Sequence, residues 1–260
     1  MVNVLRKATV IILIVLGFFS NAFGWSSETH IYIALEAGTK NPEITCFHDL
    51  SREENSSLLG PFHWHDAAPN TSVTPDYIDL YQITEGMYVK SGVPESKPIK
   101  VKVPDPSGVL CWKILELYQK MKGKTGWQYD YYLTNIAHYV GDLSQPLHNF
   151  PYGSEPASDG KPYPGIGLWA KEHHSQFDSV LDSYLPLEGK EKEVFQTMIP
   201  PVEIMTVDDL KKEISNTANS SIHLANRCYS ENRIITNDEA LRQIARSVSM
   251  LRSIAKNNGK

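Results

Sequence analysis

An all-α, single-domain multi-helix bundle with long active-site loops is the fold this sequence predicts, and three observations predict it. Apolar residues recur at three- and four-residue spacing in several long segments. Two capping-box signatures, Thr206-Val-Asp-Asp209 and Thr236-Asn-Asp-Glu239, open long runs of that kind near the C-terminus. Only IKVKV, residues 99–103, alternates as a strand does. At 260 residues and 41% hydrophobic content the chain can bury one substantial core.

Taken in order, residues 1–24 stand apart from the bundle. Arg6 and Lys7 precede the apolar run ATVIILIVLGFF, residues 8–19, and then NAFG, whose Ala22 and Gly24 suit a signal peptidase. Twelve apolar residues fall short of the roughly 18 that a transmembrane helix needs. A cleaved secretory signal ending at Gly24 is therefore expected, with residues 25–260 as the mature domain beginning at Trp25 and a secreted or periplasmic location. An uncleaved anchor is the alternative.

Residues 26–37 carry Ile33, Ala34 and Ala37 on the face that holds His30, with Ser26 or Ser27 as N-cap and Gly38 as the stop. Leu110, Ile114, Leu117 and Met121 mark a helix ending at Gly123. Residues 127–143, rich in Tyr and apolar side chains, predict a central helix. The last capping box opens a helix through Leu241, Ile244, Ala245, Val248, Leu251 and Ile254. Between the helices lie two loops rich in Pro, Gly and Tyr, residues 61–79 and 149–167, whose length makes them candidate rims of a binding site.

The formal charge is -5, and loss of Arg6 and Lys7 with the leader makes it -7. An acidic protein repels nucleic acid and anionic membranes as a whole, so a polyanionic substrate needs a local attraction. Cys46, Cys111 and Cys228 include no C-x-x-C pair. One disulfide with a spare thiol, or three small buried residues, both fit.

The stretch AHYVGDLSQPLHN, residues 137–149, sets His138, Asp142 and His148 among small and apolar neighbours. That is an expensive place for imidazoles and a carboxylate unless something binds them. On a helix His138 and Asp142 are i and i+4 and share a face, which by itself reads most simply as a surface ion pair. The rest of the chain argues for more. EHHSQFD repeats the spacing with His174 and Asp178, and upstream lie His30, Asp49 and the HWHD cluster containing His63. Imidazole and carboxylate together suit a borderline cation such as zinc. Eight such side chains are too many for one tetrahedral ion and point to two or three.

These motifs occur in a fixed order: WSSETH, Asp49 followed by His63, HYVGDLSQPLH and HSQFD. In that order they resemble the zinc-dependent phospholipase C and single-strand-specific nuclease superfamily, helical secreted phosphodiesterases with a trinuclear zinc site. The likeness spans residues 25–178, and the C-terminal helices follow in character. It implies three Zn²⁺ ions. One would be held by Asp49, His63, His138 and Asp142, and a second by His148, His174 and Asp178. The third would use the amino nitrogen and carbonyl oxygen of Trp25 with His30 and a bridging Asp142. A free α-amine at Trp25 exists only after cleavage, so on this reading the metal site matures with secretion. The implied chemistry is attack of a metal-bound hydroxide on a phosphodiester, with Asp49 and Arg52 as catalytic positions. Three zinc ions against Asp49, Asp142 and Asp178 leave a local charge of about +3, the local attraction an acidic protein requires.

The substrate divides the branches of the superfamily. The short W-x4-H spacing, Arg52 at D-x2-R and Asp178 rather than glutamate favour the nucleases, where the resemblance makes Trp64 and Asp66 a nucleobase pocket. A buried tryptophan beside an exposed aspartate is the plainer reading of that pair. The loop after His148 lacks the nuclease glycine-glycine-asparagine segment, and the short C-terminal region is similar to bacterial phospholipases. Yet Leu50 and Gly60 stand where a choline cage needs aromatics. The balance leans to single-stranded nucleic acid or nucleotides, with a phospholipid headgroup as the alternative and a non-catalytic secreted zinc-binding protein as the third reading. No stable protein partner is implied. NSS at 55–57, NTS at 70–72 and NSS at 219–221 are glycosylation sequons in a host that uses them.

Overall fold

The computed structural model describes residues 25–49, 59–69, 71–80, 83–88 and 99–258. Residues 1–24, where the sequence predicts a leader, and Arg52 lie outside the described residues. The elements are α1 (Ser27–Glu36), a 3₁₀ turn at Pro42–Cys46 and another at Gly60–Phe62, and α2 (Pro75–Ile78). Then follow β1 (Ile83–Tyr88), β2 (Ile99–Pro104), α3 (Leu110–Met121), α4 (Gly126–Ser144) and a 3₁₀ turn at Pro146–Asn149. The chain ends with α5 (Pro164–Asp178), α6 (Gly189–Met198), α7 (Val207–Ser230) and α8 (Asn237–Asn258). The fold is all-α with, among the described residues, one antiparallel hairpin, in which Ile83 pairs with Pro104 and Tyr88 with Ile99. The strand predicted at 99–103 is present. Its partner ITEGMY was not expected, because a six-residue strand interrupted by Gly86 has too little alternation to stand out.

The local signals act as expected. Ser26 caps α1 by accepting from the Thr29 amide, and the chain leaves α1 through Gly38 at φ +86°. Gly123, at φ +72°, follows α3. Thr206 and Asp209 form a reciprocal capping box, and Thr236 and Glu239 form a second one. Pro164 at the first turn of α5 starts that helix inside the predicted 149–167 loop, shortening the loop.

Helix α4 is central, packed by α1, α3, α7 and α8. Its Ile136, Val140 and Leu143 are fully buried with Ile33, Ile114, Ile214, Ile244 and Val248 in one apolar core. The C-terminal end of α4 is held especially firmly. Ser247 of α8 donates to the Val140 carbonyl at 3.0 Å, and Ser221 of α7 donates to that of Leu143 at 2.9 Å. Asn149 donates to Leu143 as well, at 2.8 Å. Buried hydroxyls thereby satisfy backbone acceptors on the segment that carries His138 and Asp142. The cysteines are all free; Cys111 and Cys228 are buried, and burial pushes their thiols up to about 12 and about 11. Among the described residues no helix is long and apolar enough to cross a membrane.

Candidate metal centre and adjoining pocket

Asp142 is the hub. Its Oδ2 lies 3.0 Å from His63 Nδ1 and 3.1 Å from His138 Nε2. Its Oδ1 lies 3.3 Å from His30 Nε2 and 3.5 Å from His148 Nδ1. Asp49 joins from the segment after the first 3₁₀ turn, 3.7 Å from His63 and 3.9 Å from His138. The His138–Asp142 pair is therefore not a surface ion pair, since both side chains are wholly buried. Two groups, His30 with Asp49 and His138, and His63 with His138 and Asp142, have ligand atoms within 4.8 Å of one another. These buried His/Asp clusters could hold metal ions.

Local sequence explains the convergence. Residues 138 and 142 share a helix face, and Gly141 between them leaves room for His30: a Cβ there would meet His30 Nδ1 at 2.6 Å. The His30 ring can then stack on His138 with centroids 4.4 Å apart. Both ring nitrogens of His30, Nδ1 of His138 and Oδ1 of Asp142 are buried without a hydrogen bond. Unsatisfied buried polar atoms are rare in native interiors, and a cation among them is the arrangement that satisfies them.

Protonation divides the cluster: burial acts downward on His30, but the hydrogen bond and charge of Asp142 outweigh it and raise His30 above its usual range, whereas His138 is lowered. Burial holds the His138 imidazole well below its usual range, although Asp142 pulls the other way. For Asp142 burial acts upward, but His138 and His148 outweigh it and hold the carboxyl well below its usual range, hence ionised. Neutral imidazole and carboxylate are the metal-binding forms. His148 Nδ1 lies 2.6 Å from the His63 carbonyl oxygen, which only accepts, so Nδ1 carries the proton and Nε2 is the basic nitrogen.

The set His148, His174 and Asp178 is brought together less tightly. The two imidazole rings are 5.2 Å apart. Asp178 accepts from Gln145 Nε2 at 2.7 Å through one oxygen, and its other oxygen lies 2.8 Å from His174 Nδ1. In this arrangement Asp178 orients His174. Trp25 is fully buried, its indole donating to Ser144 at 2.9 Å, and the Ser26 amide donates to the Asp178 carbonyl at 3.1 Å. The first described residues are thus tied to the ends of both α4 and α5, the two helices that carry the paired motifs.

A pocket of ≈ 110 Å³ opens beside His148 and His174, and Trp64 and Asp66 line it with Pro106, Leu147, Tyr152 and Glu155. Trp64 is half-buried, and its indole N–H is spent on the Pro106 carbonyl at 2.8 Å. Gly108, at φ +98°, permits this, because a Cβ there would meet the Trp64 carbonyl oxygen at 1.9 Å. Asp66 is buried rather than exposed, and burial first, then the charge of Glu155, holds its carboxyl well above its usual range. Tyr152 and Glu155 escaped sequence reasoning because an irregular loop has no periodicity to reveal which side chains turn inward.

The histidines outside the scheme have ordinary roles. His48 stacks on His138 with centroids 4.9 Å apart, and burial lowers it to about 4. Burial also lowers His65 to about 4, and its Nδ1 lies 3.0 Å from the Tyr77 hydroxyl. His173 bonds to the Trp169 carbonyl, and His223 is exposed on α7. The sequon at Asn219 is occupied structurally, since its amide both accepts from and donates to the Val73 backbone at 2.8 and 3.0 Å. Asn55 and Asn70 lie outside the described residues.

No protein-family model matches the chain, and no curated protein matches it in sequence. The class that fold and site define is accordingly a helical protein with buried His/Asp clusters able to hold metal.

Proposed function

We propose that the protein is a secreted zinc-dependent phosphodiesterase acting on single-stranded nucleic acid or nucleotides. The observation that carries this reading is continuity: the pocket walled by Trp64 and Asp66 is floored by His148 and His174, which adjoin the Asp142 hub. A base seated against Trp64 would place its phosphate toward the metal-binding histidines. The donor set is histidine and aspartate without cysteine, which favours zinc in open, catalytic sites over a closed structural one. Three ions are proposed, with the ligand sets that the resemblance implies. Bound zinc supplies a water acidified to a pKa of about 7 and a Lewis-acid contact to the phosphate.

The chain's own groups hold and orient. Asp142 offers both oxygens to the histidines around it, while His148 is fixed by the His63 carbonyl and His174 by Asp178. Arg52 is assigned to phosphate stabilisation from sequence. Removal of the leader at Gly24 would free the Trp25 amine beside these helices.

A phospholipid headgroup remains the second reading, because an aromatic and acidic pocket also suits a quaternary ammonium. The test is side-by-side hydrolysis of single-stranded DNA, RNA and phosphatidylcholine by mature zinc-loaded protein. Turnover of nucleic acid is expected. Turnover of phosphatidylcholine alone would reverse the assignment, and none of the three would leave a zinc-binding protein.

A further inference from the structure

We infer that the groove between α7 and α8 is a second ligand site, which binds a phosphorylated sugar with its phosphate on Arg246 and a sugar hydroxyl on Gln243. The groove has a volume of ≈ 310 Å³ and shares no lining residue with the metal-binding clusters or with the pocket beside them. That size falls in the range of small-molecule sites. Its walls carry two pairs at i, i+4 spacing, His223 and Arg227 on α7 and Arg242 and Arg246 on α8. Because the two helices pack against each other, both pairs edge one opening.

Two observations mark the groove as built for a ligand. Gln243, between the two α8 arginines in sequence, lines it and is buried, yet its Oε1 has no hydrogen bond. A buried amide oxygen left unpaired is costly, and a donor brought by a ligand satisfies it. Arg246 is the second observation. It is half-buried and, among the described residues, makes no ion pair.

The other guanidinium groups are committed. Arg242 donates to Asp238 at 2.9 Å. Arg227 shares Glu239 with Arg233, which donates to that carboxylate at 2.8 and 2.9 Å. Glu239, the carboxylate in the lining, is thus neutralised by two cations. The charge of Arg246 stands uncancelled in a protein that is acidic as a whole.

The lining then selects the ligand. A free guanidinium takes two oxygens of a phosphate in parallel hydrogen bonds. Gln243 Oε1 only accepts, and a phosphate dianion has no donor to give it. The donor must come from a group attached to the phosphate, and a sugar hydroxyl supplies one.

This inference does not rest on the proposed reaction, and its test reads binding alone. The imidazole resonances of His223 in the mature protein, assigned by their loss in His223→Gln, are followed by NMR during titration with ribose 5-phosphate, inorganic phosphate and ribose. Ribose 5-phosphate should move them saturably, inorganic phosphate only at about fivefold higher concentration, the effect of one neutral hydrogen bond, and ribose not at all in that range. Arg246→Ala should weaken ribose 5-phosphate about tenfold or more, the effect of a bond to a charged group. Gln243→Met should remove the margin over inorganic phosphate. Absence of a saturable shift, unchanged affinity in Arg246→Ala, or equal binding of inorganic phosphate or ribose by wild type overturns the inference. Should Gln243→Met fail to fold, the Arg246→Ala titration and the comparison of the three ligands still decide. A phosphorothioate RNA tetramer that saturates His223 at lower concentration than ribose 5-phosphate supports an anchor for a strand, and the reverse order supports a free sugar phosphate.

Discussion

Replacing Asp142 with asparagine tests the metal centre at its hub. Asp142 contacts four histidines: its Oδ2 approaches His63 and His138 at 3.0 and 3.1 Å, and its Oδ1 approaches His30 and His148 at 3.3 and 3.5 Å. Asparagine keeps the volume, removes the charge and turns one acceptor into a donor facing nitrogen atoms. Zinc at one hundred times its dissociation constant stabilises a folded protein that alone binds it by about 2.7 kcal/mol. For a chain of this size each kcal/mol moves Tm by roughly 2–4 °C, so each bound zinc should raise Tm by roughly 5–11 °C and three independent ions by about three times as much. The assay is thermal unfolding of chelated and zinc-loaded protein, with elemental analysis of each. Wild type should rise by that amount, whereas Asp142→Asn should lose most of the rise and fall from close to three ions to one or none. An equal rise and equal zinc content in Asp142→Asn would refute the hub.

Gly141→Ala should act on the same centre indirectly, pushing the His30 ring from its place beside Asp142 and lowering zinc content, as elemental analysis would read. Trp64→Ala should raise KM for single-stranded nucleic acid by the loss of stacking worth about 1–3 kcal/mol, whereas Arg52→Ala should lower kcat; initial-rate kinetics separate the two. A chain extended by a few residues before Trp25 should lose one zinc and much of its kcat, because an amide nitrogen cannot replace an amine as ligand. Equal zinc and rate in the two forms would remove Trp25 from the site. Glu239 is held down to about 2 chiefly by Arg233, against burial, with Thr236 helping. A depressed carboxyl contributes stability above its unfolded value of 4.5 that is lost as pH falls toward about 2. Glu239→Gln should therefore destabilise the fold at neutral pH by under about 1 kcal/mol, because its partners Arg233 and Arg227 are part-exposed and screened by solvent, and thermal unfolding should match wild type near pH 2.

Helices α1, α3, α4, α7 and α8 were legible because each has a long apolar stripe and a stop or cap in the sequence. Helix α6 was not, since GKEKEVFQTM buries only Phe195 and shows no stripe. The cluster of His30, Asp49, His63, His138 and Asp142 was legible as residue types and spacing, because polar side chains stand out in apolar surroundings. Its supports were hidden. Ser144, Gln145 and Asn149 read as a turn around Pro146, yet they are buried and tie Trp25, Asp178 and the end of α4 together. Such partners lie as much as 119 residues apart, and no periodicity encodes a contact of that separation.

The same supports explain why the centre can exist before metal arrives. Each buried polar atom without a hydrogen bond costs on the order of 1–3 kcal/mol; Nδ1 of His30 and of His138 have none, and His30 Nε2 and Asp142 Oδ1 make only longer ion-pair contacts, so the metal-free core is strained. Collapse of the rings onto other partners would relieve that cost. The geometry opposes collapse: the His30 ring is confined between Gly141 and His138, His148 is anchored to the His63 carbonyl, and α4 is pinned by Ser221 and Ser247. The apolar packing of α4 against α3, α7 and α8 thus offsets a local strain that serves the site. A cation bound there would meet ligands already in place, and its binding free energy would go to relieving unsatisfied atoms rather than to ordering a helix.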